Sequence, residues 1–173
     1  MGVVSTIFGV YFILAAIVAV LKLWYDVKLY ASDECEWCEK YVEEKYGIKK
    51  KVYVIDNPVY DKIAFTSLHG IFVWKTLLRP ENRDVLEAVL EHEVEHIRSH
   101  DLPKKSILKI GQYLITAYLF LTHGFLPGLA SAIILGAIAY IWTVNREMSM
   151  LNKLKKENPE VFEKIHNMIN TLS

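Results

Sequence analysis

Two blocks of this 173-residue chain carry no Asp, Glu, Lys or Arg: residues 3–21 and residues 110–144. Charge-free runs of that length are the mark of membrane spans. The remaining charge is concentrated in residues 33–62 and 79–109. Hydrophobic residues make up 53% of the chain, above the range of soluble domains. The formal net charge is zero, so no bulk field pulls the chain toward nucleic acid, and no nucleic-acid motif is present.

VVSTIFGVYFILAAIVAVL, Val3–Leu21, is long enough for one helical crossing. It lacks the positive start and clean small-residue cleavage site of a signal peptide, so it reads as a retained anchor. The second block, Ser106–Val144, is too long for one crossing, and His123-Gly124-Phe125-Leu126-Pro127-Gly128 breaks it near the middle. A helical hairpin of two spans, residues 106–123 and 126–144, is expected. Gly128, Ala132 and Gly136 recur at four-residue spacing on the second arm, where small residues allow close helix approach in lipid.

The basic residues set the orientation. Lys22 and Lys28 follow the first span, Lys104, Lys105 and Lys109 flank the second, and Arg146, Lys153, Lys155 and Lys156 follow the third. The positive-inside rule places all of them in the cytoplasm and the N-terminus outside. The expected divisions are an N-terminal transmembrane helix (1–24), a cytoplasmic catalytic segment (25–105), the hairpin (106–144) and cytoplasmic C-terminal helices (145–173).

Within the hydrophilic segment, Asp33 is expected to cap a helix through ECEWCEKYVEEKYG, which Gly47 stops. Cys35 and Cys38 form one C-x-x-C, open to three readings: plain thiols, a disulfide or redox pair, or half of a zinc knuckle. KKKVYVID reads as a strand; KIAFTS and GIFVWKTLL read as two more, or as a strand and a loop. Pro80 or Asn82 opens a helix that runs through DVLEAVLEHEVEHIRSHD and stops before Pro103. Val85, Leu86, Val89, Leu90, Val94 and Ile97 give it one buried face. Pro159–Leu172 forms a further amphipathic helix, to cover the site or lie along the lipid surface.

His92 and His96 stand four residues apart on the charged helix. At that spacing both imidazoles can face one metal ion. Glu93 follows the first of them and can take a proton from a water at that ion. A solvated helix rich in Glu would produce the same pattern by chance. His100 lies one turn beyond His96, but three ligands spread over roughly 12 Å of straight helix cannot converge on one ion, so His100 reads as a helix-end residue.

These residues resemble the HtpX-like membrane metalloproteases, the group that includes the type I CAAX prenyl proteases. The similarity runs over about residues 48–152: the strand KVYVID, the Ala-Phe of KIAFTS, the Leu-Leu before the zinc helix, His92-Glu93-x-x-His96, then Asp101, a membrane hairpin and Arg146-Glu147. It implies an α+β membrane protein, three transmembrane helices plus a small cytoplasmic zincin-like α+β catalytic domain. It further implies one Zn2+ per chain on His92, His96 and Glu147, and Glu93 as the catalytic base. Asp101, Arg146, His69 and His166 are the residues named for ligand support or transition-state stabilisation. Two positions depart from the family: Met150-Leu151 replaces Ala-Asp, and Ile63 replaces an Asn. The first leaves Asn152 or Asp101 to take the Asp's place.

The expected activity is zinc endopeptidase cleavage at the cytoplasmic membrane surface, in membrane protein quality control. Polypeptide substrate would add as an extended strand to an edge supplied by KIAFTS or GIFVWKTLL. The lipid bilayer is the other expected partner, with a homo-oligomer of this chain as a further candidate and no nucleic acid. Three spans cannot wall off the lipid-accessible chamber of CAAX-type enzymes unless chains assemble, so prenylated-peptide cleavage ranks second. A catalytically weak sensor is the rival from outside enzymology.

Overall fold

The computed structural model describes residues 2–59 and 62–171. Tyr60 and Asp61, in the stretch before KIAFTS, lie outside the described residues, as do Leu172 of the C-terminal helix and the Lys28 side chain. The chain divides into two compact units, residues 1–24 with 103–147, and residues 25–102 with 148–173.

The first unit is helical. It takes in most of α1 (Val3–Tyr30) and α4 (Asp101–Thr122), and α5 (Phe125–Glu157) as far as Glu147. Gly124, at φ +95°, makes the break between α4 and α5 at the expected place. Phe120 is the centre of packing: it is fully buried and stacks on Phe8 and Phe12 at 5.4 and 5.8 Å. Gly128 of the small-residue series lies directly against the Phe120 ring, where a Cβ would collide with it. A Cβ at Gly136 would stand 3.2 Å from the Gln112 amide nitrogen, and the Thr116 and Ser131 hydroxyls pair at 2.9 Å.

Val3–Tyr25 and α5 are long and apolar enough to cross a bilayer. Their apolar residues face outward, Ile7, Val10, Ile133, Ile134 and Ile141 among them, where a soluble core helix would bury them. α4 falls short of the same test; Lys104, Lys105, Lys109 and Gln112 dilute its first half.

The second unit is α+β. Its four-stranded sheet has the order β1-β2-β4-β3, formed by β1 (Asp33–Glu34), β2 (Lys51–Ile55), β3 (Ala64–Thr66) and β4 (Gly70–Trp74). β2 and β4 run parallel, while β1 and β3 pair antiparallel on the two margins. β4 is buried over its first four residues, as an interior strand covered on both faces must be. One face packs Val52, Val54, Ile71 and Val73 against Val85, Leu86, Val89, Leu90 and Val94 of α3 (Arg83–Arg98). On the other, Phe65 stacks on Phe72 at 4.7 Å.

Several expectations need correction. Asp33 does not cap a helix; it pairs with Val54 in β1, and α2 (Glu36–Tyr46) opens at Cys35. Gly47 does end α2, in the left-handed conformation at φ 67°. The C-x-x-C is a disulfide with both cysteines buried, which removes the thiol and zinc-knuckle readings. The 75–78 part of GIFVWKTLL is a 3-10 turn, and Pro80–Asn82 forms another before α3. α3 ends at Arg98 rather than running to Pro103. His100 takes φ 55°, the chain turns, and α4 begins at Asp101. Pro103 sits in the first turn of α4, where its missing N–H leaves no bond unmade. α5 runs past 144 without interruption, so Arg146 and Glu147 continue the hairpin's second arm instead of opening a new helix.

The C-terminal helix, α6 (Pro159–Asn170), packs against α3. Ile165 is buried in the shared core, with Val161, Met168 and Ile169 against it, and Lys164 pairs with Asp84 at the start of α3. These residues of α6 are committed to the core rather than to a lipid surface.

Candidate metal centre

α3 carries the centre because its two faces differ. The apolar positions fix one side in the core, and the next positions round the helix, His92, Glu93 and His96, stand at its border. His92 is half-buried, while Glu93 and His96 are 5% and 7% exposed. Their candidate ligand atoms all lie within 4.8 Å of one another. The two imidazoles meet edge to face, 4.8 Å between centroids. Among the described residues this is the group able to hold a metal ion.

His96 and Glu93 are each held by a further side chain. The His96 ring pairs through Nδ1 with Asp101 Oδ2 at 2.9 Å, and Asp101 is only 3% exposed. With the proton on Nδ1, the ring presents Nε2 as a ligand, and the carboxylate makes that nitrogen more basic. His100 in its left-handed conformation is what turns the chain after α3. Its own ring faces the Arg98 carbonyl at 3.0 Å and is exposed, which makes it a helix-end residue. Glu93 accepts a hydrogen bond from the Thr66 hydroxyl, 2.8 Å to Oε2.

On the solvent side of α3, Tyr46 donates to Glu91 at 3.2 Å and Arg98 donates to the Tyr46 carbonyl at 3.0 Å. Burial is the main cause that pushes the Tyr46 hydroxyl up to about 12. Glu91, next to the histidine motif, thus serves the helix surface.

Glu147 belongs to the helical unit, where Lys105 Nζ donates to its carboxylate at 2.9 Å. Arg146 precedes it in the same unit. His166 stacks on Phe162 along the exposed side of α6. His69 is exposed in the turn between β3 and β4, its backbone N–H donating to Ser67 Oγ. Within the α+β unit, the described metal-capable group is His92, Glu93 and His96. Of the supporting set, Asp101 reaches a cluster side chain by a hydrogen bond within this unit.

The family model of peptidase family M48 matches residues 38–158, well over half of the chain. The chain belongs to peptidase family M48. M48 enzymes are metallopeptidases and typically zinc dependent, which agrees with the donor set on α3. The match takes in most of α2 and everything from there through the end of α5, and leaves His166 outside it. No curated protein and no solved structure matches this M48 chain.

Sequence reasoning missed Thr66 and Lys105. The first is a strand residue with no periodic mark beyond its β-propensity. The second was read as a topogenic charge, and its ion pair spans a whole hairpin.

Proposed function

We propose that this M48 chain is a membrane-anchored zinc endopeptidase that cuts damaged membrane proteins at the cytoplasmic surface. The observation that carries the reading is the buried Asp101 carboxylate bonded to His96, one turn from His92 and beside Glu93. A solvated charged helix has no use for a histidine tied to a buried carboxylate. A metal ligand does, because the second hydrogen bond fixes tautomer and ring orientation.

The ligand set is His92, His96 and Glu147, the last taken from the family resemblance. Zinc, when bound there, supplies a Lewis acid that brings the pKa of a water toward neutrality. Glu93 removes the proton of the attacking water and returns it to the leaving amine. Of the two strands expected to dock substrate, β4 is paired on both sides, so β3 at the sheet margin is the docking edge. α1 and α5 anchor the chain in lipid, with the basic residues after each span on the cytoplasmic side. Two or three helices enclose too little lipid-accessible volume for a CAAX-type chamber, which favours unfolded polypeptide over prenylated peptide.

Purified protein is expected to hold one zinc per chain and to cut unfolded membrane proteins. Glu93→Gln is expected to keep the metal and lose cleavage. Cleavage of a farnesylated peptide alone would move the assignment to the prenyl-protease type. Zinc binding without turnover in the wild type would make the chain a sensor. Absence of zinc from protein purified in zinc-containing buffer would remove the metal centre.

One observation favours a second reading of the orientation. Disulfides persist in oxidising compartments, and Cys35–Cys38 is a disulfide in the catalytic unit. Protease added to intact cells spares a C-terminal tag in the cytoplasmic orientation and removes it in the opposite one.

A further inference from the structure

The geometry points to Thr66 as the residue that positions Glu93, an inference that rests on the endopeptidase reading above. Ala64 and Thr66 alternate with Phe65 along β3, so they share the face opposite Phe65. Phe65 stacks on Phe72, while β3 packs against α3 through its other side. Ala64 is small and buried, and Thr66, two residues on, is half-buried with its hydroxyl at Glu93.

The hydroxyl lies 2.8 Å from Glu93 Oε2 and 3.2 Å from the Glu93 carbonyl oxygen. It has one hydrogen to give. The shorter contact, to a carboxylate, is the stronger of the two. The carbonyl loses little, because a carbonyl within a helix already accepts from the fourth residue on. A carboxylate only 5% exposed must find donors inside the protein. Thr66 therefore holds one oxygen of Glu93 and fixes the rotamer, and the second oxygen remains for the proton transfer.

Thr66 is also part of the marginal strand proposed to receive substrate. Any shift of β3 on strand addition moves the donor that holds the base. Its hydroxyl acts on the base rather than on the substrate, so its loss should lower kcat and leave KM unchanged.

The test uses the full chain in detergent with Thr66→Val, which keeps the shape, and Thr66→Ser, which keeps the hydroxyl. Thr66→Val is expected to retain zinc and lose about 10-fold in kcat at constant KM, the lower end for groups supporting a catalytic side chain. Thr66→Ser is expected to restore most of it. A thermal double-mutant cycle with Glu93→Ala reads the contact without activity. Thr66→Val should lower Tm in the wild-type background and not in Glu93→Ala. Additive Tm shifts overturn the inference whatever the turnover, as does an unchanged kcat in an active Thr66→Val. A wild type that holds zinc and cuts nothing removes the endopeptidase reading instead, and the cycle still decides the Thr66–Glu93 contact.

Discussion

Replacing Asp101 by Asn isolates the charge of the group that orients His96. The pair is almost fully withdrawn from water, with Asp101 3% and His96 7% exposed, and the bond is 2.9 Å long. A hydrogen bond to a charged group in that setting contributes roughly 1.5–3 kcal/mol, and a neutral one roughly 0.5–1.5 kcal/mol. Asn keeps an acceptor oxygen, so the loss is the difference, about 1–1.5 kcal/mol, or roughly ten-fold in zinc affinity. Asp101→Ala removes the acceptor as well and should approach a hundred-fold, the upper end for such partners. A competing effect has to be kept apart. Asp101 is also the acidic residue in the first turn of α4, where it steadies the helix dipole by about 0.3–1 kcal/mol. That contribution appears in Tm without zinc and not in the metal titration. The assay is therefore competition for zinc against a chromophoric chelator, with Asp84→Asn as a control that removes a carboxylate from the first turn of α3. Zinc affinity within two-fold of wild type in both Asp101 variants, on a wild type that binds zinc, would refute the reasoning.

Two further predictions concern the unit that carries the centre. Reducing the Cys35–Cys38 bond opens a loop of sequence separation 3, so chain entropy puts the cost at roughly 2 kcal/mol; a Tm that does not fall with reductant, or in a Cys35→Ser/Cys38→Ser protein, contradicts this. The Lys164 ammonium beside Asp84 holds its carboxyl below the ordinary 3.8. A depressed folded pKa means the pair contributes fully above that ordinary value and fades as pH falls through the lower folded one. Both groups are about half exposed, so screening limits the effect to under about 1 kcal/mol. The Tm gap between wild type and Asp84→Asn should close below pH 4, and a gap of constant size across pH would show that the pair does not dock α6.

The helix that carries His92 and His96 was legible because its information is local. The 3.6-residue apolar period of Val85, Leu86, Val89, Leu90 and Val94 fixes which side is buried, and the four-residue histidine spacing follows on one border. Gly47 and Gly124 were legible for a similar reason, since a left-handed turn favours glycine. Asp33 was misread because a cap residue and a strand residue look alike until β2 supplies the pairing partner. The end of α3 was misread because Pro103 drew the boundary to itself, although proline is welcome in a first turn. The decisive conformation falls on His100, which nothing in the local sequence marks as left-handed. β3 as the sheet margin and Thr66 as a donor to Glu93 both depend on the strand order, which crosses from β2 to β4 before returning to β3.

The α3–α4 corner shows why such a misreading falls where it does. A non-glycine residue in the left-handed region costs about 1–2 kcal/mol. Were α3 to continue straight through 101, Asp101 would stand five residues past His96, rotated well away from its face. The positive φ of His100 breaks that geometry, and in the folded chain Asp101 reaches Nδ1 of His96. The bond between two buried groups recovers an amount comparable to the cost of the turn. Local propensity and the His96–Asp101 bond therefore make opposing demands at one residue, and the bond prevails. A helix-continuation reading fails at this corner for the same physical reason that makes the corner useful, since the conformation disfavoured by the chain is the one that delivers a carboxylate to His96.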